Sequence, residues 1–256
     1  MPPLAVEVSV ADRIATITLT SPPANALGVA VKEGLAAALD AAEAAGARVL
    51  VVRSAVDGFF AAGADLKLLA GADAVAFAEY VDGLRGVLER IAALPQLSIA
   101  AVDGFALGGG LELAMACTLR VASPRARLGV PEIKLGLLPG AAGTQRLPRL
   151  IGRGPALDLL LTGRSIGGEE GFRLGLVDRL APDGETDAVA RGLAAELAAG
   201  AFEALAAVAR CADAARDLPF AQGLAVERRE ILRLFGTADA REGVRAFVEK
   251  RPPVFG

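Results

Sequence analysis

The 256-residue chain has no histidine, no tryptophan, one tyrosine and two cysteines. Without histidine, Ser-His-Asp and Cys-His catalysis are excluded, as is every His-ligated metal site. Proton transfer falls to Glu, Asp, Lys, Cys or the single Tyr80. Cys117 and Cys211 stand far apart with no CxxC pair, each among Ala and Leu, so both read as buried free thiols. Lysine is scarce, confined to Lys32, Lys67, Lys134 and Lys250. The net charge is −3 and the sequence pI about 5.3, so nothing favours a nucleic-acid partner. No charge-free apolar run approaches membrane-spanning length, and the start lacks a basic segment followed by an apolar one. A reducing cytoplasm, with no membrane partner, is the expected setting.

What is present is ample material for a core. Hydrophobic residues make up 54% and the mean hydropathy is +0.47, while charged residues of both signs, 22% in all, are interspersed. That balance argues against disorder. The length suits one large domain, or a domain with an appendage.

Residues 4–10 and 13–20 alternate apolar and polar and predict two strands. A helix is expected over 29–45, stopped by Gly46, then a short apolar strand over 48–53, buried on both faces. Residues 57–63 read as a turn-rich loop and 72–93 as a helix ended by Pro95. A strand over 98–103, a helix from 109 to 117 and a strand over 119–122 follow, and from 155 onward the pattern is helical. The order predicts an α/β fold with a helical C-terminal part.

Four stretches could carry chemistry. Phe59-Phe60-Ala61-Ala62-Gly63-Ala64-Asp65-Leu66-Lys67 has small residues at 61–64 that let a ligand approach the backbone, with Lys67 beside them as a phosphate partner; a tight strand-to-helix turn explains the same residues. Gly108-Gly109-Gly110 stands where an apolar strand gives way to a helix. There it bares N–H groups for an anion, or it only lets the helix pack closely. One turn on is Glu112, and 20 residues further is Glu132, both in apolar surroundings. A buried carboxylate is costly unless paired or functional, and its pKa rises. The third stretch is Gly129-Val130-Pro131-Glu132, which carries that second acid, and the fourth is the glycine-rich loop 138–147, which could contact a ligand or simply start a helix.

Taken together these residues resemble the enoyl-CoA hydratase/isomerase (crotonase) family. The matches are Asn25-Ala26-Leu27, the run 61–65, Ala106 to Gly110 with Glu112, Pro131-Glu132, Leu138-Pro139-Gly140, Gly143 to Leu147, and a C-terminal stretch from Glu242 to Arg251. They span nearly the whole chain in order. The resemblance implies a crotonase-like spiral of repeated ββα turns over 1–198, for acyl-CoA binding and catalysis. It also implies a helical trimerisation region over 199–256, in a homotrimer or a dimer of trimers.

The implied substrate is an acyl-CoA thioester, with coenzyme A part of the substrate and no separate cofactor or metal. The resemblance assigns the oxyanion hole to the amides of Ala64 and Gly109. It assigns substrate and CoA contacts to Ala62, Asp65, Leu66, Lys67, Gly140, Phe247 and Lys250. Hydratases of the family carry two glutamates, and both positions are Glu here. Glu112 and Glu132 are thereby implied to hold one water, which adds to a 2-enoyl-CoA to give a 3-hydroxyacyl-CoA, a reaction of fatty-acid β-oxidation. Double-bond isomerisation, which needs one acid, is the alternative. An RNA-binding relative would want a basic patch, against which four lysines and the acidic pI count. Thr118 departs from the family's usual Asp and puts a local contact in question.

Overall fold

The computed structural model describes residues 4–65 and 69–256, so Leu66 and Lys67 lie outside the described residues. The chain opens with a hairpin. β1 (Val6–Ala11) and β2 (Ile14–Leu19) pair antiparallel, with Asp12 and Arg13 at φ 51° and 63° in the turn between them. Two positive-φ residues give the turn the twist of the flanking strands. Ala15, Ile17 and Leu19 are buried on one face of β2, as its alternation predicts. α1 (Val29–Ala44) follows and buries Val31, Leu35 and Leu39.

A strand–strand–helix unit then repeats. β3 (Val49–Ser54), β4 (Phe59–Ala61) and α2 (Ala74–Ala93) form the first unit. β5 (Leu97–Val102), β6 (Phe105–Leu107) and α3 (Gly109–Ala116) form the second. β7 (Leu119–Ala122), β8 (Arg127–Gly129) and a 3-10 helix (Pro131–Leu135) form the third. The first strand of each unit enters a six-stranded sheet of order β1-β2-β3-β5-β7-β10, closed by β10 (Arg179–Leu180). The second strand enters a four-stranded sheet of order β4-β6-β8-β9, where β9 is Ser165–Gly167. Within each sheet the repeated strands run parallel. The result is the ββα spiral of the crotonase fold.

The apolar runs are explained by burial. All of β5 is buried, and so are all eight residues of α3. α2 begins at Asp73, whose side chain accepts from the amides of Val75 and Ala76, and stops before Pro95. α3 lies directly on β4, because a Cβ on Gly110 would stand 2.1 Å from the Ala61 carbonyl oxygen. Only glycine fits there, which accounts for one member of the triplet.

Some expectations need correction. Residues 57–63 are not all loop, since β4 lies within them, and the region from 155 onward carries β9 and β10 between helices. These strands are two or three residues long, too short for a period of two to register in the sequence. Cys117 is buried, and burial pushes its thiol up to about 12. Cys211 is only half-buried. At Thr118, the hydroxyl oxygen accepts from the Ser98 amide at 3.1 Å, while the Thr118 amide donates to Ser98 Oγ at 2.9 Å, which ties β5 to β7.

After the third unit come α4 (Gly143–Ile151), α5 (Arg153–Thr162), α6 (Gly168–Leu174) and α7 (Thr186–Ala199). The chain divides into residues 1–194 and 195–256, with α7 running from one into the other. The sequence places its division after 198. The second unit comprises the end of α7 with α8 (Phe202–Asp217), α9 (Phe220–Phe235) and α10 (Ala238–Val248). Arg210 on α8 pairs with Glu230 on α9 at 2.8 Å. Phe220, Phe235 and Phe247 are each more than four-fifths exposed. Among the described residues no single helix is long and apolar enough to cross a membrane.

Candidate active site

The three repeated units deliver their chemistry at one place. β4, β6 and β8 are parallel neighbours, and just past their C-terminal ends stand Ala64, Gly109 and Glu132. Adjacent strands lie about 4.8 Å apart, so residues separated by 45 and 23 positions become neighbours. The crevice outside the carboxyl ends of parallel strands is a general place for ligands.

The first segment is held from below by residues 21–28. Asn25 is fully buried at φ 51°. Its Nδ2 donates to Ser54 Oγ at 2.7 Å and to the Phe60 carbonyl at 3.0 Å, while its Oδ1 accepts from the Ser21 amide at 2.8 Å. The Ala62 amide donates to the Ala24 carbonyl and the Leu27 amide to the Gly63 carbonyl. These bonds pin 61–64 against α3, where a Cβ built on Gly63 would stand 3.5 Å from the Gly109 nitrogen. Among the described residues, neither the Ala64 nor the Gly109 amide donates to another group of the chain. Gly109 opens α3, so its amide carries the positive end of that helix.

Glu112 lies in the first turn of α3 and is 2% exposed. Its Oε1 accepts from the amides of Ala141 at 2.8 Å and Gly143 at 2.7 Å. Gly143 opens α4, so a second helix N-terminus faces the same oxygen. Burial raises the Glu112 carboxyl above its ordinary range, while the two amides and the cations of Arg146 and Arg85 pull the other way.

Glu132 stands in the first turn of the 3-10 helix, after Pro131. Its Oε2 is buried with no hydrogen-bond partner among the described residues. Burial, with the charge of Glu112 acting the same way, pushes the Glu132 carboxyl up to about 7. Gly108 makes room for it, because a Cβ there would stand 2.7 Å from Glu132 Oε1. The Gly108 backbone, φ 53° and ψ −125°, is itself one that side chains disfavour. The two glutamates therefore differ. Glu112 has two donors ready for a negative charge, and Glu132 has an unbonded oxygen that a negative charge would burden.

Ala64, Gly109, Glu112, Glu132 and Gly140 line one cavity of about 70 Å³. Its apolar wall includes Phe77, Tyr80, Val81 and Leu84 from α2, and Leu137 and Leu138. The volume suits a few waters beside the carboxylates. The Tyr80 hydroxyl donates to the Leu27 carbonyl at 3.1 Å, and burial pushes it up to about 12, so it stays neutral. Ala62 and Asp65 flank Gly63 and Ala64, while Phe247 and Lys250 lie in the unit 195–256. The resemblance already makes 71–85 the region bounding the acyl pocket, but the individual side chains of the α2 wall were not singled out in the sequence. Its Phe77, Tyr80, Val81 and Leu84 recur at helical spacing, a signal that reads equally as core. That the amides of Ala141 and Gly143 serve Glu112 had no sequence signal. Among the described residues no cluster of three or more acids or cysteines could hold a metal ion.

Comparisons with known proteins agree with this geometry. Residues 10–256 match the family model described as enoyl-CoA hydratase/isomerase. A probable enoyl-CoA hydratase of Bacillus subtilis (strain 168) is 41% identical over 98% of both chains. The human mitochondrial enoyl-CoA hydratase domain-containing protein 2 is 45% identical over 94% of this chain and 85% of its own. The crystal structure of an enoyl-CoA hydratase from Bacillus anthracis superposes with a TM-score of 0.93 at 37% identity, covering 98% of each chain.

Proposed function

Because the chain belongs to the enoyl-CoA hydratase/isomerase family, we propose that it adds water reversibly across the double bond of a 2-enoyl-CoA, as an enoyl-CoA hydratase. It is a hydro-lyase, and its substrate is an acyl-CoA thioester. The observation that carries the reaction is the unequal pair Glu112 and Glu132 on one cavity with two undirected amides.

Glu112, held by two amides, is the base. It takes a proton from a water shared by the two carboxyl groups as the oxygen attacks C3. The electron pair moves onto the thioester oxygen, which the Ala64 and Gly109 amides receive. An oxyanion donor of this kind is worth about 3 kcal/mol. Glu132, with its carboxyl near 7, is protonated in part of the molecules at neutral pH and delivers its proton to C2. The product is the 3-hydroxyacyl-CoA. Environment, rather than residue type, separates the acid from the base.

Coenzyme A enters as part of the substrate, with no further cofactor. By the family resemblance the run from Ala62 through Asp65, Leu66 and Lys67 is assigned to its pantetheine and adenine path, Gly140 to substrate contact, and Phe247 and Lys250 to its far end when supplied by a neighbouring subunit. The broadly exposed phenylalanines of 195–256 support a homotrimer or a dimer of trimers. Fatty-acid β-oxidation in the cytoplasm is the setting we assign.

The test is a panel of 2-enoyl-CoAs from C4 to C16, linear and branched, followed by loss of the conjugated thioester absorbance. Turnover is expected with at least one. Well-folded protein that hydrates none overturns the reading, and conversion of 3-enoyl-CoAs alone would assign isomerisation instead.

A further inference from the structure

Arg85, on the exposed side of α2, belongs to no motif and touches neither glutamate. Its guanidinium does not lie idle in solvent. Nε and Nη2 both donate to the Gly140 carbonyl oxygen, at 3.3 and 3.1 Å. The contact to Asp82, one turn before it on the same helix, is longer at 3.6 Å. The Gly140 carbonyl and the Ala141 amide are the two ends of one peptide group. That amide donates to Glu112 Oε1 at 2.8 Å. A cation, a peptide dipole and a carboxylate therefore stand in line, cation on the oxygen end and carboxylate on the N–H end.

We propose that Arg85 is a positioning residue for Glu112, acting through the Gly140–Ala141 peptide. The alignment does two things. It orients a peptide of an irregular loop so that its N–H faces the carboxylate. It also polarises that peptide, and hydrogen bonds in a chain strengthen one another by roughly 10–30% each. Both effects favour the ionised form of Glu112, the form a base needs. The role of Glu112 as base rests on the hydratase reading; the effect on its ionisation does not.

The other charged and titratable groups facing Glu112 are accounted for. Arg146 on α4 is largely buried and paired with Glu89 at 3.0 Å. Glu132 from the 3-10 helix repels it, and Tyr80 from α2 is neutral. Of the two cations, Arg85 alone reaches the Glu112 oxygen through a shared peptide. The Gly143 amide supplies the second bond to that oxygen without help from Arg85. Loss of Arg85 should therefore weaken the base without abolishing it.

The variants Arg85→Gln, Arg85→Lys and Asp82→Ala separate this role from a surface ion pair. Glu112 is titrated by carbon NMR of protein labelled at glutamate carboxyls, its signal assigned by its loss in Glu112→Gln. Arg85→Gln is expected to raise the Glu112 titration midpoint, to move the acidic limb of the kcat/KM profile the same way, and to lower kcat at pH 7 roughly threefold to tenfold with KM nearly unchanged. Arg85→Lys should recover part of each effect, and Asp82→Ala should leave all of them at wild-type values. A Glu112 midpoint equal in wild type and Arg85→Gln overturns the proposal, whatever happens to melting temperature. So does an Asp82→Ala effect as large as that of Arg85→Gln. The titration needs no substrate, so a wild-type protein without hydratase activity would overturn the proposed function and leave Arg85 to be judged by the midpoint.

Discussion

Replacing Glu132 by Gln should inactivate the protein and, at alkaline pH, stabilise it. The reasoning starts from burial. An ordinary glutamate titrates at 4.5, and this one is pushed up to about 7, first by burial and then by the charge of Glu112. The folded protein thus holds the Glu132 proton more tightly than the unfolded chain. Between those two values the folded state binds more protons, so stability falls as pH rises. The contribution is fully present below pH 4.5, declines through the window, and is lost above about pH 7. A gap of about 2.5 pH units at 1.36 kcal/mol each gives up to ~3 kcal/mol. The substituted amide keeps the shape of the carboxyl and cannot ionise, so the variant escapes that loss. Urea unfolding of both proteins at a series of pH values from 4.5 to 8.5 reads the difference. The two should be nearly equal at the acid end, with the variant ahead by up to ~3 kcal/mol at the alkaline end. Parallel curves would refute the raised carboxyl, and with it the assignment of Glu132 as the proton donor.

Three further outcomes follow from the same geometry. Glu112→Gln should lower kcat by about 10²–10⁴-fold with the fold intact, read by enoyl-thioester absorbance and melting temperature. Gly108→Ala adds a Cβ that would stand 2.7 Å from Glu132 Oε1 on a backbone side chains disfavour, so activity should drop at least tenfold, with stability lower by about 1–2 kcal/mol by denaturant titration. Asn25→Ala removes the three hydrogen bonds of a buried side chain beneath the Ala62–Ala64 segment, which should cost about 2–4 kcal/mol and lower kcat through a loosened oxyanion donor.

Much of this was legible in the sequence, for physical reasons that differ from residue to residue. β2, β3 and β5 announce themselves because burial on one or both faces leaves a simple apolar pattern. Gly110 is legible because a helix pressed on β4 tolerates nothing larger. Glu112 and Glu132 stand out because a carboxylate among apolar neighbours needs a reason to be there. What was not legible is the small sheet. Its strands are three residues each, and pairing rather than pattern defines them. Nor could spacing show that Ala141 and Gly143 turn their amides to Glu112, or that Arg85 stands behind one of them. Those contacts depend on loop geometry that no local periodicity encodes.

The short sheet nevertheless decides where the chemistry happens. Each turn of the spiral ends one strand of β4, β6 and β8 at the same level, and each strand hands over to a different kind of group. After β4 comes an extended segment that offers the Ala64 amide. After β6 comes a helix that offers the Gly109 amide at its positive end and Glu112 one turn later. After β8 comes a 3-10 turn that offers Glu132. An oxyanion and two protons have to be handled within one substrate's length, and neighbouring parallel strands supply that spacing without any side chain reaching far. Residues at one level of a parallel ladder are held in mutual register by the ladder itself, through pairs such as Phe105 with Arg127 and Ala106 with Leu128. The spacing between the Gly109 segment and the Glu132 segment is thereby a property of the backbone pairing of β6 with β8. What remains to be tuned is charge. In the proposed reaction two glutamates of the same chemical type divide into base and acid, since one receives two amides and the other receives none from the loop that faces it.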